Sequence, residues 1–116
     1  MKVSEVASAL DLKCCVPGEE DGGVTGGYIG DLLSWVIGRA GQGSAWITIM
    51  SNSNVAAVAL LADVSMIILA EGVEPDKELV DKAQAHGLAL YSSGIGAYEL
   101  SWRLHELIGE AGSGGI

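Results

Sequence analysis

Residues 45–69 read AWITIMSNSNVAAVALLADVSMIIL, and this stretch decides the fold. It opens with a nearly continuous apolar run at 45–50 and closes with another at 65–69, and both are typical of strands covered on both faces. Ser and Asn residues at 51–54 are suited to capping a helix, and residues 55–61 are rich in Ala and Leu. The stretch therefore predicts a β-α-β unit with parallel strands.

Strands and helices also alternate on both sides of this unit. The further predicted elements are a helix at 3–10, a strand at 11–16, a loop at 19–27, a helix beginning at Tyr28 and ending at Gly38 or Gly41, a helix at 75–85, a strand at 88–91 and a final helix with Leu100 and Leu104 on its apolar face. Alternation at short spacing predicts an α/β fold with three layers, in which a mostly parallel central sheet of four to six strands has helices on both faces.

Length and charge limit the domain count and the partners. A chain of 116 residues has room for one core, so we expect one domain at 1–108 and a flexible Gly/Ser tail at 109–116. The chain has 15 acidic against 6 basic residues and a net charge of −9, so we expect it to bind neither nucleic acid nor membranes. No apolar run approaches the roughly 20 residues of a membrane span, and the N-terminus does not resemble a secretion signal. A cytoplasmic location is expected.

Residues suited to catalysis or metal binding are few. Cys14 and Cys15 are adjacent, so a disulfide between them would be strained, and buried thiols are the simpler interpretation. His86 and His105 are far apart in sequence, which supplies a zinc site poorly, and both are interpreted as structural. Neither a phosphate-binding loop with its Lys nor a nucleophile elbow is present. We therefore expect no catalytic residue, no metal and no cofactor.

Loop residues provide the candidate binding site. Loops that follow parallel strands meet at one edge of a sheet, and we expect the loops at 19–27, 51–54, 71–76 and 92–96 to meet there. Glycine N–H groups before a helix could bind an anion, but the neighbouring acids favour a tight turn with close helix packing. The Asn and Ser residues could contact a ligand, although helix capping is the simpler role. The candidates for ligand binding or an interface are Asp21, Thr25, Gly26, Gly27, Tyr28, Asn52, Asn54, Ser92 and Ser93.

Several spaced blocks together resemble the DRTGG domain family. These blocks are DGGVTGGY at 21–28, DLLS at 31–34, AWITI at 45–49, NVAAVA at 54–59, EG at 71–72 and YEL at 98–100. The Arg of the family's motif has no counterpart, because Gly22 follows Asp21. The family's modules occur in pyrophosphatases with CBS domains and in phosphate acetyltransferases, and they are related to the N-terminal region of HPr kinase/phosphorylase. The resemblance implies a regulatory role, no activity of the module alone, and a homodimer.

Three functions follow from these observations. The leading hypothesis is a non-catalytic regulatory module that self-associates and either senses a small molecule or nucleotide or docks a partner enzyme. The first alternative is a purely structural assembly protein, in which the loops form only turns and subunit contacts. The second alternative is a small enzyme with a site formed across subunits, which the scarcity of basic residues disfavours.

Overall fold

The computed structural model describes the backbone of residues 1–112 and the side chains of residues 1–109. One sheet of five strands has the order β1-β5-β4-β3-β2. The strands are β1 (Lys13–Pro17), β2 (Gly26–Ile29), β3 (Ser44–Thr48), β4 (Met66–Leu69) and β5 (Ala89–Ser92). The helices are α1 (Val3–Ala9), α2 (Leu33–Arg39), α3 (Asn54–Ala62), α4 (Lys77–Ala85) and α5 (Ala97–Gly112). The predicted α/β fold with a mostly parallel sheet is confirmed.

Strand direction determines which loops share an edge. Strands β2 to β5 are parallel to their neighbours, whereas β1 pairs with β5 in the antiparallel direction, from Lys13 opposite Ser92 to Pro17 opposite Ala89. The register of β1 shifts between Cys14 and Val16, which marks a bulge. We call the edge where the parallel strands begin the amino edge and the edge where they end the carboxyl edge.

The helices form two layers because side chains alternate between the faces of the sheet. On β3, Trp46 is completely buried against the layer formed by α2, α3 and α4. Ala45 and Ile47 point to the opposite face and pack with α1 and α5. The indole N–H of Trp46 donates to the carbonyl oxygen of Gly30 at 2.9 Å, so this buried side chain also fixes the loop after β2.

The prediction of a helix beginning at Tyr28 is wrong. Residues Gly26–Ile29 form β2, in which Tyr28 pairs with Trp46 and Ile29 with Ile47, and α2 begins only at Leu33. Parallel pairing with the buried strand β3 outweighs the helix-like apolar spacing of this segment.

The helices also test the predicted C-terminal tail and the expected lack of a membrane-spanning segment. Helix α5 continues to Gly112, so residues 109–112 are helical where the sequence predicts the start of a tail. Residues 113–116 of that tail lie outside the described residues, and the boundary of the domain stays a prediction. None of the helices within residues 1–112 has the length and hydrophobicity needed to cross a bilayer.

Candidate functional site

The predicted meeting of four loops at one edge is wrong. Because β1 is antiparallel, the loop that follows it returns to the amino edge. There, the N–H of Thr25 donates to the carbonyl oxygen of Gly43, just before β3 begins. The loops that follow β3 and β5 lie at the carboxyl edge instead. The structure places Asp21, Thr25 and Gly26 toward the amino edge, Gly27 and Tyr28 within β2, and Asn52, Asn54, Ser92 and Ser93 at the carboxyl edge.

Three candidate side chains at the carboxyl edge bond within their loops or to a neighbouring strand. The side-chain oxygen of Asn52 accepts the backbone N–H of Asn54 at 2.9 Å. The Ser93 hydroxyl accepts the backbone N–H two residues further on, at 3.1 Å. Ser92 is buried, and its hydroxyl oxygen accepts the thiol of Cys15 at 3.7 Å. These contacts give the side chains of Asn52, Ser92 and Ser93 a structural role in a turn or in the sheet.

Two carboxylates that sequence reasoning missed also stabilise this edge. Asp31 accepts the hydroxyl of Thr48 at 2.7 Å and the N–H of Ile49 at 2.9 Å, which joins the loop after β2 to the end of β3. Glu71 accepts the N–H of Ala97 at 2.7 Å and thereby caps α5. These carboxylates and their hydrogen-bond partners are far apart in the chain, so no local sequence pattern predicts the contacts. No buried side-chain nitrogen or oxygen among the described residues lacks a hydrogen-bond partner.

Asp21 has a comparable role at the amino edge. Its carboxylate accepts the backbone N–H of Ser4 at 2.9 Å and also the Ser4 hydroxyl, so it caps α1 from a distant loop. These two hydrogen bonds, with a smaller contribution from the charge of Lys2, lower the pKa of Asp21 below its ordinary value of 3.8. Nearby, the Thr25 hydroxyl donates to the carbonyl oxygen of Gln42 at 2.9 Å. Both candidates therefore hold loops in place.

A groove between β2 and α5 brings together the remaining candidates, Gly26, Gly27 and Tyr28. We call it the β2–α5 groove, and it has a volume of about 740 Å³. Strand β2 forms one wall, and α5 forms the other. Its lining residues are Gly26, Gly27, Tyr28, Ile29, Ile47, Ser101, Trp102, Leu104, His105, Glu106, Ile108 and Gly109.

Gly27 sets how closely the two walls approach each other. A Cβ atom at Gly27 would lie 2.8 Å from Cδ2 of Leu104, a side chain that is only 2% exposed. At Gly26 a Cβ atom would meet nothing within 4 Å. Glycine at position 27 is therefore explained by the close packing of α5 on β2 rather than by a bound anion.

The groove is largely apolar, and its lining offers no Lys or Arg side chain to a phosphate. Ile29 and Trp102 stand at its mouth with 47% and 49% of their surfaces exposed. Its polar side chains include Ser101, whose hydroxyl donates to the carbonyl oxygen of Tyr98 at 2.8 Å, and the acid Glu106. No Lys or Arg is among the groove-lining residues named above. Such walls suit an apolar ligand without negative charge.

Sequence reasoning missed the α5 wall of this groove. The apolar residues Leu100 and Leu104 are buried against the sheet, so their spacing leaves Trp102 outside the apolar face of the helix. Trp102, a large aromatic side chain on the polar side of the helix, was the sequence feature that could have indicated this wall. His105, interpreted from the sequence as structural, also lines the groove.

Metal-binding chemistry finds no support among the residues described. Residues 1–109 contain no cluster of three or more His, Cys, Asp or Glu side chains that could hold a metal ion. Cys14 is an exposed free thiol, and Cys15 is a half-buried free thiol.

One solved structure with a similar fold contains the CBS and DRTGG domains of the regulatory region of a Clostridium perfringens pyrophosphatase, in complex with its activator diadenosine tetraphosphate. The similarity has a TM-score of 0.69 at 13% sequence identity, and it covers 88% of this chain and 45% of that chain. This chain therefore spans less than half of that structure. No family model and no curated protein matches the sequence. The likeness shows a related fold, and membership of the DRTGG family stays a prediction.

Proposed function

We propose that this chain is a non-catalytic regulatory module that binds an apolar ligand in the β2–α5 groove. The observation that carries the proposal is the groove itself, since its volume of about 740 Å³ lies within the range of small-molecule sites, about 300–1,000 Å³. The regulatory setting of the structural neighbour supports the same role. In this proposal Gly26, Gly27 and Tyr28 belong to the binding site, and the other candidate residues position loops.

The charge of the groove restricts its ligand. Glu106 contributes a negative charge to the lining, and the whole chain carries a net charge of −9. The phosphates of a nucleotide would meet this field with no Lys or Arg side chain in the groove lining to offset it. We therefore propose a neutral or cationic apolar ligand, and we do not expect the neighbour's activator, diadenosine tetraphosphate, to bind in this groove.

A neutral dye and a variant that fills the groove test this proposal. Nile red, an uncharged apolar dye, should bind to the native chain and become fluorescent. Ser101→Trp places an indole in the groove and should abolish the dye signal while leaving the thermal midpoint unchanged. Leu61→Ala, a change at an exposed residue of α3, is the matched control and should keep the signal.

Two outcomes contradict the proposal. One is equal dye binding by Ser101→Trp and the native chain, which would place the dye outside the groove. The other is a rise in the melting temperature with diadenosine tetraphosphate that Ser101→Trp abolishes. A ligand present at about 100 times its Kd stabilises the folded state by about 2.7 kcal/mol, which thermal melts resolve readily.

Structural assembly is a second candidate function, favoured by the surface of α2 and α3. Between Asp31 and Asp63 the sequence contains no Asp or Glu, and its one charged residue is Arg39. The guanidinium of Arg39 lies 3.8 Å from the ring centre of the exposed Trp35. Helices α2 and α3 pack side by side, and we define the α2–α3 face by its exposed apolar residues Leu32, Trp35, Ile37, Leu60 and Leu61.

We propose that two copies of the chain associate through the α2–α3 face. Two molecules that each carry a charge of −9 repel each other, and a surface free of carboxylates minimises this repulsion where they meet. Exposed apolar side chains in one area are characteristic of protein interfaces. A homodimer formed here would leave the β2–α5 groove open, so self-association and ligand binding are compatible.

Analytical ultracentrifugation of charge variants tests this assembly. The native chain should sediment as a dimer at micromolar concentration, and Leu61→Lys, at a residue that is 71% exposed, should sediment as a monomer. Tyr98→Lys, on α5, makes the same kind of change at a more exposed residue outside the face and should leave the dimer intact. A native chain that stays monomeric, or dissociation by Tyr98→Lys alone, would refute the assignment of this face.

A further inference from the structure

Strand β2 has an open edge along the groove. It is the last strand of the sheet and pairs only with β3 among the described strands. The N–H of Gly30 points toward β3, since it donates to the carbonyl oxygen of Ile47 at 3.1 Å. Backbone groups alternate in direction along an extended strand, so the N–H and C=O groups of Gly27 and Ile29 point away from β3. An edge strand of this kind can pair with a further strand.

The groove runs along this strand, with α5 as the opposite wall, and its lining also includes Ile47 of β3. A strand added next to β2 would lie about 4.8 Å from it. On the α5 side, its alternate side chains would meet the exposed apolar surfaces of Ile29 and Trp102. Gly26 and Gly27 carry no side chain that would hinder the approach of another backbone. Backbone pairing and side-chain pockets are thus available at the same place.

We propose that β2 and α5 bind an extended apolar segment of a partner protein, which adds to the sheet as a sixth strand. This inference rests on the proposed binding role of the β2–α5 groove and names its ligand class. Main-chain hydrogen bonds to Gly27 and Ile29 provide affinity, and the side chains that enter the groove provide specificity.

Charge decides that the occupant is a partner segment rather than a second copy of β2. Glu106 lines the groove, and the chain as a whole is strongly acidic, so a basic residue in the bound segment gains attraction. A second copy paired through β2 would instead bring its own Glu106 to this site, where like charges repel, whereas the α2–α3 face has no carboxylate between Asp31 and Asp63. The expected segment therefore alternates apolar residues in the groove with polar residues outside and carries at least one Lys or Arg.

A synthetic peptide in which Val alternates with Thr and which ends in Lys is the probe. Its binding is measured by NMR amide exchange and by the NMR chemical shift of the indole N–H of Trp102, a groove residue. The peptide should slow amide exchange at Gly27 and Ile29. A version with N-methyl groups at alternate residues keeps the side chains but loses backbone donors, and it should bind at least about tenfold more weakly. Exchanging the terminal Lys for Glu should also weaken binding.

The native chain itself separates this inference from the proposed function, because the N-methylated peptide should bind to it weakly while Nile red still binds. Ile29→Pro removes one outward N–H, a change that edge strands accept, and it should abolish peptide binding. If Ile29→Pro lowers the melting temperature, Ser101→Trp, which leaves β2 unchanged, should also abolish peptide binding. Tyr98→Ala, at an exposed residue outside the groove, should bind the peptide like the native chain.

Three results would overturn the strand-addition inference. Equal binding of the N-methylated peptide would show that the groove recognises side chains without strand pairing, which leaves the proposed function intact. Slower exchange at Gly27 and Ile29 with rising protein concentration alone would assign the edge to a second copy. Unchanged peptide binding by a folded Ile29→Pro would show that the outward N–H of this strand is not used.

Discussion

Replacing Gly27 by Ala tests whether the close packing of α5 on β2 requires a glycine at this position. The new methyl group would lie 2.8 Å from Cδ2 of the buried Leu104, so α5 or the Leu side chain must shift. Overpacking of a core costs about 1–3 kcal/mol. Gly26→Ala is the matched control on the same strand, because its methyl group meets nothing within 4 Å.

The magnitude follows from the difference between these two variants. Both replace a glycine by alanine and share the stabilisation that comes from restricting the unfolded chain, about 0.4–1 kcal/mol. Only Gly27→Ala adds the steric term, so its free energy of unfolding should be lower than that of Gly26→Ala by about 1–3 kcal/mol. Leu104→Ala alone should cost about 2–5 kcal/mol through the cavity it creates.

Urea unfolding of the single and double variants provides the measurement. In the Leu104→Ala background the clashing atom is absent, so adding Gly27→Ala should no longer destabilise the protein. The double-mutant cycle should then show a favourable coupling of about 0.5–3 kcal/mol. Equal free energies for Gly26→Ala and Gly27→Ala, or a coupling near zero, would refute the packing explanation for the glycine at position 27.

Three further predictions concern the hydrogen bonds of the loops. The hydrogen bonds to Ser4 lower the pKa of Asp21 below 3.8, so the stability that this carboxylate contributes is fully present above pH 3.8 and is lost as the pH falls through the lowered pKa. Asp21→Asn should therefore make the melting temperature depend less on pH in this interval. Glu71→Ala removes the cap of α5 and should cost about 0.5–2 kcal/mol in thermal unfolding, whereas Glu74→Ala, which breaks only an exposed ion pair, should cost about 0–1 kcal/mol. Thr48→Val removes the hydroxyl that bonds to an exposed carboxylate and should cost about 1 kcal/mol in urea unfolding.

The elements at the centre of the sheet were predictable because their burial appears in the sequence. Strand β4 is buried along its whole length, as is β3, and both coincide with the apolar runs at 45–50 and 65–69. Helix α3 between them is equally clear because residues of high helix propensity fill it. Strand β2 carries no such pattern, since Gly26 and Gly27 have low β propensity and Tyr28 follows a helix-like spacing.

The candidate site was less predictable because it depends on strand direction and on packing between distant elements. The antiparallel pairing of Lys13 with Ser92 sends the following loop to the amino edge, and nothing in residues 11–27 fixes that direction. The β2–α5 groove arises where α5 contacts the sheet near Gly27, far away in sequence. Local sequence patterns identified Gly26, Gly27 and Tyr28 as candidate site residues. They missed Trp102, because the α5 wall of the groove forms only when α5 packs on β2.

The two ends of the sheet differ in a way that limits growth. At one end, β1 carries a bulge, the charged Lys13 and the imino acid Pro17, all of which hinder pairing with another strand. At the other end, β2 is short and open. Stacking copies of this chain into a continuous sheet would require β1 of one copy to pair with β2 of the next, so the features of β1 hinder the repeated edge-to-edge addition that leads to fibres.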